Sequence, residues 1–154
     1  RRRTELAILG QALPASTEHA RALVDALEAR CLEQPPPRIL PHHVLHGGIY
    51  TRTMCLPAGH VLTSTLVKIP TTLTVCGDAA VVVGDGDVYR VQGYQVLAAC
   101  KGRRVAYRAY ADTWMSMAFV TQAKTVEEAE AEFTDEPERL MSRFGENIVV
   151  NTGE

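Results

Sequence analysis

The fold is decided by residues 57–121, which read PAGHVLTSTLVKIPTTLTVCGDAAVVVGDGDVYRVQGYQVLAACKGRRVAYRAYADTWMSMAFVT. Valine, threonine, tyrosine and other residues that are common in β-strands dominate this stretch. Glycine turns interrupt it about every 8–12 residues, and no apolar pattern of helical period lies inside it. Short strands at this spacing predict a sandwich or a small barrel.

The predicted strands follow one another with only short connections. They cover residues 49–56, 61–67, 71–76, 79–83, 88–91, 94–100, 105–110 and 113–120. Turns are predicted at Gly77, at residues 84–87, at Gly93 and at Gly102, because glycine and aspartate tolerate positive φ. Pro70 is expected at a strand end or a sheet edge, since proline has no N–H for a ladder. We assign residues 44–122 to one β-barrel.

The N-terminal part, residues 1–34, is predicted to be a helical arm. Leu6, Leu9 and Leu13 suit one face of a short helix that stops near Pro14. A second helix, capped by Ser16 or Thr17, carries an apolar stripe. Its members are Ala20, Leu23, Val24, Leu27 and Cys31. Two interpretations stay open: this helix packs on its own domain, or it docks on a partner subunit.

The segments on either side of the barrel differ in character. Residues 35–43 form a proline-rich linker, in which three successive prolines favour a stiff extended spacer. Residues 123–154 are predicted as helices and a tail, beginning with a capping box between Thr125 and Glu128. Pro137 starts a second short helix. The apolar residues 148–150 in the tail either add a strand to a neighbour's sheet edge or fray.

The composition is that of an ordinary globular domain. The 154 residues are 46% hydrophobic and 22% charged, with a net charge of −2. This charge gives no reason to expect an anionic membrane or sequence-specific nucleic acid as a partner, and we predict neither. No apolar run approaches the ~20 residues of a membrane span. The four cysteines form no CxxC pair, which argues against a structural zinc site and favours reduced thiols.

The order of these motifs resembles the cupin superfamily. More closely, residues 43–143 are similar to a group of small phage-encoded cupin-like proteins of unestablished function. The matching phrases are HGGIYTR, LPAGHVLTS, LVKIPTTLTVCGD, GDGDVYRVQGYQVL, GRRVAYRAYADTWMSMAF and AKTVEEAEAEFTDE. The resemblance implies a mainly β, cupin-like jelly roll (a double-stranded β-helix) with an N-terminal helical arm and short C-terminal helices. It also implies a phage accessory or virion protein, located in the virion or the host cytoplasm.

The resemblance bears on metal binding as well. Metal-binding cupins place a His-x-His pair and a Glu directly after the PAG turn, but here His60 is followed by neither a second His nor a Glu. We therefore predict no cofactor. A substitute metal site would require His42, His43, His46 and His60 to gather at the barrel mouth, and His46 and His60 are its candidate ligands.

Basic residues in the strands suggest an anion site instead. If they point into the barrel, arginine and lysine side chains can bind an anionic ligand. Arg108, which follows Tyr107, is the most suggestive, and we predict Lys68, Arg108 and Tyr110 as ligand-binding residues. The alternative is that these side chains face outward and keep the sheet edges soluble.

Three function hypotheses follow, and none includes a predicted catalytic residue. The favoured one is a non-enzymatic phage-type structural or accessory protein, for virion decoration or assembly, that forms a homo-oligomer and contacts other phage proteins. Its predicted interface residues are Leu23, Leu27, Trp114, Ile148, Val149 and Val150. The second is a cupin-type metal-dependent enzyme or a small-molecule-binding protein that uses the barrel cavity. The third is a phage inhibitor of a host protein.

Overall fold

The computed structural model describes residues 12–35, 37–84 and 87–154. The strands are β1 (Ala12–Leu13), β2 (His42–His46), β3 (Ile49–Leu56), β4 (Val61–Thr63), β5 (Thr71–Gly84), β6 (Asp87–Ala99), β7 (Ala106–Ala109), β8 (Thr113–Val120) and β9 (Ile148–Asn151). The α-helices are α1 (Glu18–Cys31) and α2 (Val126–Phe133), and single 3-10 turns span Pro137–Arg139 and Met141–Arg143. Most of the predicted helix with Leu6 and Leu9 lies outside the described residues.

The strands form one curled sheet. Its order is β1-β6-β5-β8-β3-β2-β9, and β7 joins β4 to β5 beside this path. β5 is long enough to pair with two strands on the same side: residues 72–76 pair with β8, and residues 79–82 pair with β7. Because one strand serves both, the sheet curls around a central space. The predicted class, a mainly β jelly-roll barrel with an N-terminal helix and short C-terminal helices, is confirmed.

The change of partner along β5 occurs at Gly77. This residue has φ +147°, and its neighbour across the ladder, Gly93 on β6, has φ +74°. A Cβ on Gly77 would lie only 2.6 Å from the hydroxyl oxygen of Thr113 and 2.8 Å from the carbonyl oxygen of Asp112. The predicted turns at Gly77 and Gly93 are therefore wrong, because both glycines bend a continuous hairpin.

Several predicted boundaries differ from the observed ones. Leu13 lies in β1, which pairs in parallel with β6, and so it does not extend a helix. The predicted strand 61–67 is reduced to β4 and an isolated bridge between Val67 and Arg103. β2 begins at His42, within the predicted linker. The apolar tail is β9, which pairs in parallel with β2 of its own sheet.

Two apolar clusters make up the core. The larger one fills the barrel between β5, β6 and β7, and the smaller one lies beneath α2. In the smaller cluster, the ring of Phe133 from α2 stacks on Tyr50 at 6.5 Å between centroids and meets Phe119 at 6.1 Å. The C-terminal helix is thus packed against the barrel and belongs to the same hydrophobic unit.

Helix α1 packs on its own barrel. Thr17 caps it by accepting a hydrogen bond from the N–H of Ala20. Ala20 and Val24 are buried, while Leu23 is exposed. On the barrel side, buried Arg104 pairs with Asp25 at 2.8 Å and with Glu28 at 2.6 Å. These ion pairs fix the helix beside the open end of the barrel.

The bend in β5 can be tested with Gly77→Ala. We expect the free energy of unfolding to fall by about 3 kcal/mol, because the new methyl group meets backbone atoms of residues 112 and 113 in addition to an unfavourable φ. Gly47→Ala is the matched control, since Gly47 also has positive φ but has open space around it. Its expected cost is about 1 kcal/mol. Urea unfolding measures both, and equal losses would contradict the close-approach argument.

Candidate functional site

A cavity of about 670 Å³ occupies the open end of the barrel. Its inner wall is apolar and is made by side chains from β3, β4, β5, β7 and β8. These are Met54, Leu62, Leu73, Tyr107, Met115 and Met117. Its rim is formed by the end of α1, by the segment that follows α1, and by residues 139–146. The exposed side chains of Leu32 and Phe144 lie at its mouth. The volume falls within the roughly 300–1,000 Å³ of small-molecule sites.

Strand register explains why these side chains meet. On β8, Met115 and Met117 are two residues apart and therefore lie on the same face of the sheet. Met117 is paired with Arg52 on β3 and with Leu73 on β5. Met115 is paired with Met54 on β3. Three adjacent strands thus form a continuous wall of unbranched and aliphatic side chains.

Arg103 is the most unusual residue in this wall. Its side chain is only 2% exposed, and its two terminal nitrogens donate to neutral acceptors. Nη1 donates to the carbonyl oxygens of Ala99 and Cys100, and Nη2 to the hydroxyl of Thr71 at 2.7 Å and to the sulfur of Met117 at 3.6 Å. No carboxylate among the described residues forms an ion pair with it. Burial lowers the pKa of this guanidinium below its usual value.

Tyr107 lies close to Arg103 in the same cavity. It is on β7, where it is paired with Leu62 of β4 and Val81 of β5. Burial raises the pKa of its phenol, and the nearby charge of Arg103 only partly opposes that rise. The phenol therefore remains protonated at neutral pH and can donate a hydrogen bond.

A buried cluster of charged side chains fixes the part of the rim that residues 139–146 form. Glu130 of α2 is 1% exposed and accepts hydrogen bonds from Arg52 at 3.0 Å and from Arg143 at 2.9 Å. Ser142 also donates to Glu130. Since each partner comes from a different segment, this carboxylate ties β3, α2 and the turn Met141–Arg143 together.

A histidine close to that cluster is fully buried. His43 Nε2 lies 2.8 Å from the side-chain oxygen of Asn147, whose amide nitrogen donates to two carbonyl oxygens. The oxygen is thus an acceptor and Nε2 carries the proton. Nδ1, 2.7 Å from the Tyr50 hydroxyl, accepts from it. Burial lowers the pKa of His43 below 6.5 and raises that of Tyr50 to about 12.

The residues predicted to bind an anion lie outside the cavity. Lys68 is on the surface and pairs with Asp135 at 2.6 Å. Arg108 follows the inward-facing Tyr107 on β7, so its side chain is on the outer face, 5.5 Å from the Tyr110 ring. The structure therefore separates Lys68 from the pair formed by Arg108 and Tyr110.

The predicted metal ligands are also apart. His46 precedes β3 and lies 2.7 Å from the Thr152 hydroxyl, whereas His60 follows β3 and contacts the carbonyl oxygen of Ala58. The length of β3 separates them by roughly 23 Å. Across residues 12–35, 37–84 and 87–154, no three His, Cys, Asp or Glu side chains are grouped as a metal site.

The predicted interface residues are mainly on the surface. Leu23 and Trp114 are exposed, and Leu27 is half-buried. Ile148, Val149 and Val150 are exposed on β9. Among the helices that the structure describes, none has the length and apolar character needed to cross a membrane.

Sequence reasoning missed the residues that line the cavity. The spacing of Met115 and Met117 places them on one face of a strand, but it does not show that this face lines a cavity. Nothing in the sequence distinguished Arg103 from the adjacent Arg104, because both follow a predicted turn. Their difference in partner depends on α1, which supplies carboxylates only to Arg104.

No family model matches the chain, and no curated protein matches it in sequence. Among solved structures it is similar to the Cupin_2 domain of an XRE family transcriptional regulator from Enterobacter cloacae, at 16% identity over 55% of this chain and 97% of that one, with a TM-score of 0.42. It is also similar to a cupin superfamily protein from Desulfitobacterium hafniense, at 11% identity over 58% and 83%, with a TM-score of 0.45. A third similar structure is a protein with a double-stranded beta-helix domain from Klebsiella pneumoniae. It is 18% identical over 60% of this chain and 84% of that one, with a TM-score of 0.45. Two of these proteins are named as cupins and the third by its double-stranded beta-helix domain, and none of the names indicates a phage origin.

The lowered pKa of His43 predicts a pH effect on stability. The folded protein binds the second ring proton of His43 less tightly than the unfolded chain does. His43 therefore costs no stability above pH 6.5, where both states hold the neutral ring. The cost grows as the pH falls below 6.5 and becomes constant below the folded-state pKa. We expect the His43 ring resonance to titrate below 6.5 by NMR, and titration at or above 6.5 would contradict the prediction.

The same effect is measurable by unfolding. Between pH 7.5 and 5.5, His43→Gln is expected to lose less free energy of unfolding than the unaltered protein, because glutamine gains no proton. His46→Gln is the control, since His46 is exposed.

Proposed function

We propose that this chain is a small-molecule-binding protein whose barrel cavity holds a ligand with an apolar body. The observation that carries this proposal is the wall formed by Met54, Leu73, Met115 and Met117 around about 670 Å³ of space. Methionine side chains are flexible and polarisable, so they adapt to ligands of different shape. A ligand that buries about 300 Å² of apolar surface gains about 7 kcal/mol, part of which the loss of freedom on association offsets.

The carboxylates at the edge of the cavity form ion pairs that join segments of the protein. Glu130 is held by Arg52 and Arg143, and Glu28 is held by Arg104 and Arg139. These pairs fix the wall and the rim of the cavity, which supports a preformed binding site. Small-molecule binding is part of the second hypothesis from the sequence.

Binding can be tested with a neutral apolar dye. We expect N-phenyl-1-naphthylamine to bind saturably at one site with micromolar affinity and to be displaced by 1-decanol, because both place apolar surface in the cavity. Leu62→Trp should weaken dye binding at least tenfold, since the larger side chain fills the cavity. Dye fluorescence measures this directly.

The matched control is Val96→Trp, which adds the same ring at a position on β6 that is 46% exposed. This variant should bind the dye as the unaltered protein does, and circular dichroism should show that both variants are folded. Absence of saturable dye binding to the unaltered protein would refute the proposal.

A second candidate function is the phage-type structural or accessory role that the resemblance implies, with a homo-oligomer as its working form. One observation favours it: β9 ends the sheet, and within the described chain no strand pairs with its outer edge. Its Val149 and Val150 are 51% and 49% exposed, and Val44 of β2, which is paired with Val150, is also exposed. An apolar edge strand of this kind can pair with a second copy of the chain. Inhibition of a host protein stays a prediction from the sequence.

Oligomerisation through β9 predicts a measurable change of mass. Light scattering after size exclusion should give a dimer for the unaltered protein. Val149→Lys should shift it toward monomer, because a charged side chain at a sheet edge opposes pairing. Val96→Lys, on an exposed position of β6, should leave the dimer intact. A monomeric unaltered protein at high concentration would rule out this candidate.

A further inference from the structure

We infer that the ligand of this cavity is an apolar monocarboxylate, whose carboxylate binds the guanidinium of Arg103 and the phenol of Tyr107. The inference rests on the proposed function and adds the chemical class of the ligand. Its basis is a buried cation in the cavity wall for which the described residues supply no counter-charge.

The environment of Arg103 is unusual for a buried charge. Buried charges are normally paired, because removal from water is costly unless an opposite charge lies close by. Each of the other buried arginines satisfies this rule: Arg52 pairs with Glu130, and Arg104 pairs with Asp25 and Glu28. For Arg103, the acceptors are two carbonyl oxygens, a hydroxyl and a thioether. A carboxylate from a ligand would provide the missing negative charge.

The hydrogen bonds of Arg103 also indicate where that carboxylate binds. The carbonyl oxygens of Ala99 and Cys100 hold Nη1, and Thr71 holds one proton of Nη2, so the guanidinium is fixed in place. The remaining contact of Nη2 is with the sulfur of Met117, at 3.6 Å, and thioethers are weak acceptors. Since Met117 lines the cavity, a carboxylate that replaces this contact lies inside it.

Two other arginines of the lining are neutralised within the protein. Arg52 pairs with Glu130, and Arg139 pairs with Glu28 and Glu136. A ligand carboxylate would therefore be bound by Arg103, and the apolar wall would accommodate the rest of the molecule.

The test compares three ligands that share one tail: decanoate, 1-decanol and decylammonium. Each is titrated against bound N-phenyl-1-naphthylamine at pH 8. Decanoate should bind at least tenfold more tightly than 1-decanol, and decylammonium should bind most weakly. A purely structural role for Arg103, in which it only holds the turn after β6, predicts no such order.

Variants assign the preference to particular residues. Arg103→Met should reduce the ratio of decanoate to 1-decanol affinity to about one while dye binding persists, and Arg103→Lys should retain part of the ratio. Tyr107→Phe should lower the ratio severalfold and tests the same site if Arg103→Met does not fold. Arg108→Met is the matched control, because Arg108 lies on the outer face of β7, next to Tyr107. This variant should leave the ratio of decanoate to 1-decanol affinity unchanged.

Each outcome has a distinct meaning. Equal binding of decanoate and 1-decanol would overturn the inference and leave the proposed function standing. A preference for decanoate that survives in Arg103→Met would overturn the assignment to Arg103. If neither the dye nor any of the three ligands binds, the proposed function itself fails.

Discussion

The close approach of Gly77 to the backbone at Asp112 and Thr113 is the constraint on which the barrel depends. It allows β5 to turn from β8 to β7 without interrupting its hairpin with β6. Because β5 serves both strands, Met117 on β8 and Tyr107 on β7 belong to walls that face one space. A side chain on residue 77 would force these strands apart, and the cavity would lose the curvature that encloses it.

Among the described residues, the buried arginines differ in whether a carboxylate neutralises their charge. Glu130 joins the C-terminal segment to the barrel through Arg52 and Arg143, and Glu28 joins α1 to it through Arg104. These pairs close the rim of the cavity with charges that are satisfied within the protein. Arg103 differs because its acceptors are neutral, and this difference is what links the architecture to an anionic ligand.

Strands and caps could be predicted from local pattern, but the site could not. The first bond of the predicted capping box forms, since the Thr125 hydroxyl accepts a hydrogen bond from the N–H of Glu128. The Glu128 carboxylate accepts from the N–H of Lys124 instead of that of Thr125. The alternation on β7 was visible in the sequence, yet it could not tell whether Tyr107 or Arg108 faces inward. The predicted ligand Arg108 lies on the outer face of β7, whereas Tyr107 next to it lines the cavity.

By itself, the sequence determined the mainly β class, the helical flanks and the lack of a His-x-His pair after the PAG turn, because strand propensity, helical spacing and residue identity are local properties. Only the tertiary structure decided that the tail is an edge strand and that two glycines bend a hairpin. It also decided that Arg104 has two carboxylate partners, whereas the described residues provide none to Arg103. The physical reason is that a charge's partner depends on segments distant in sequence. Adjacent arginines with the same local context acquire different environments once α1 packs on the barrel.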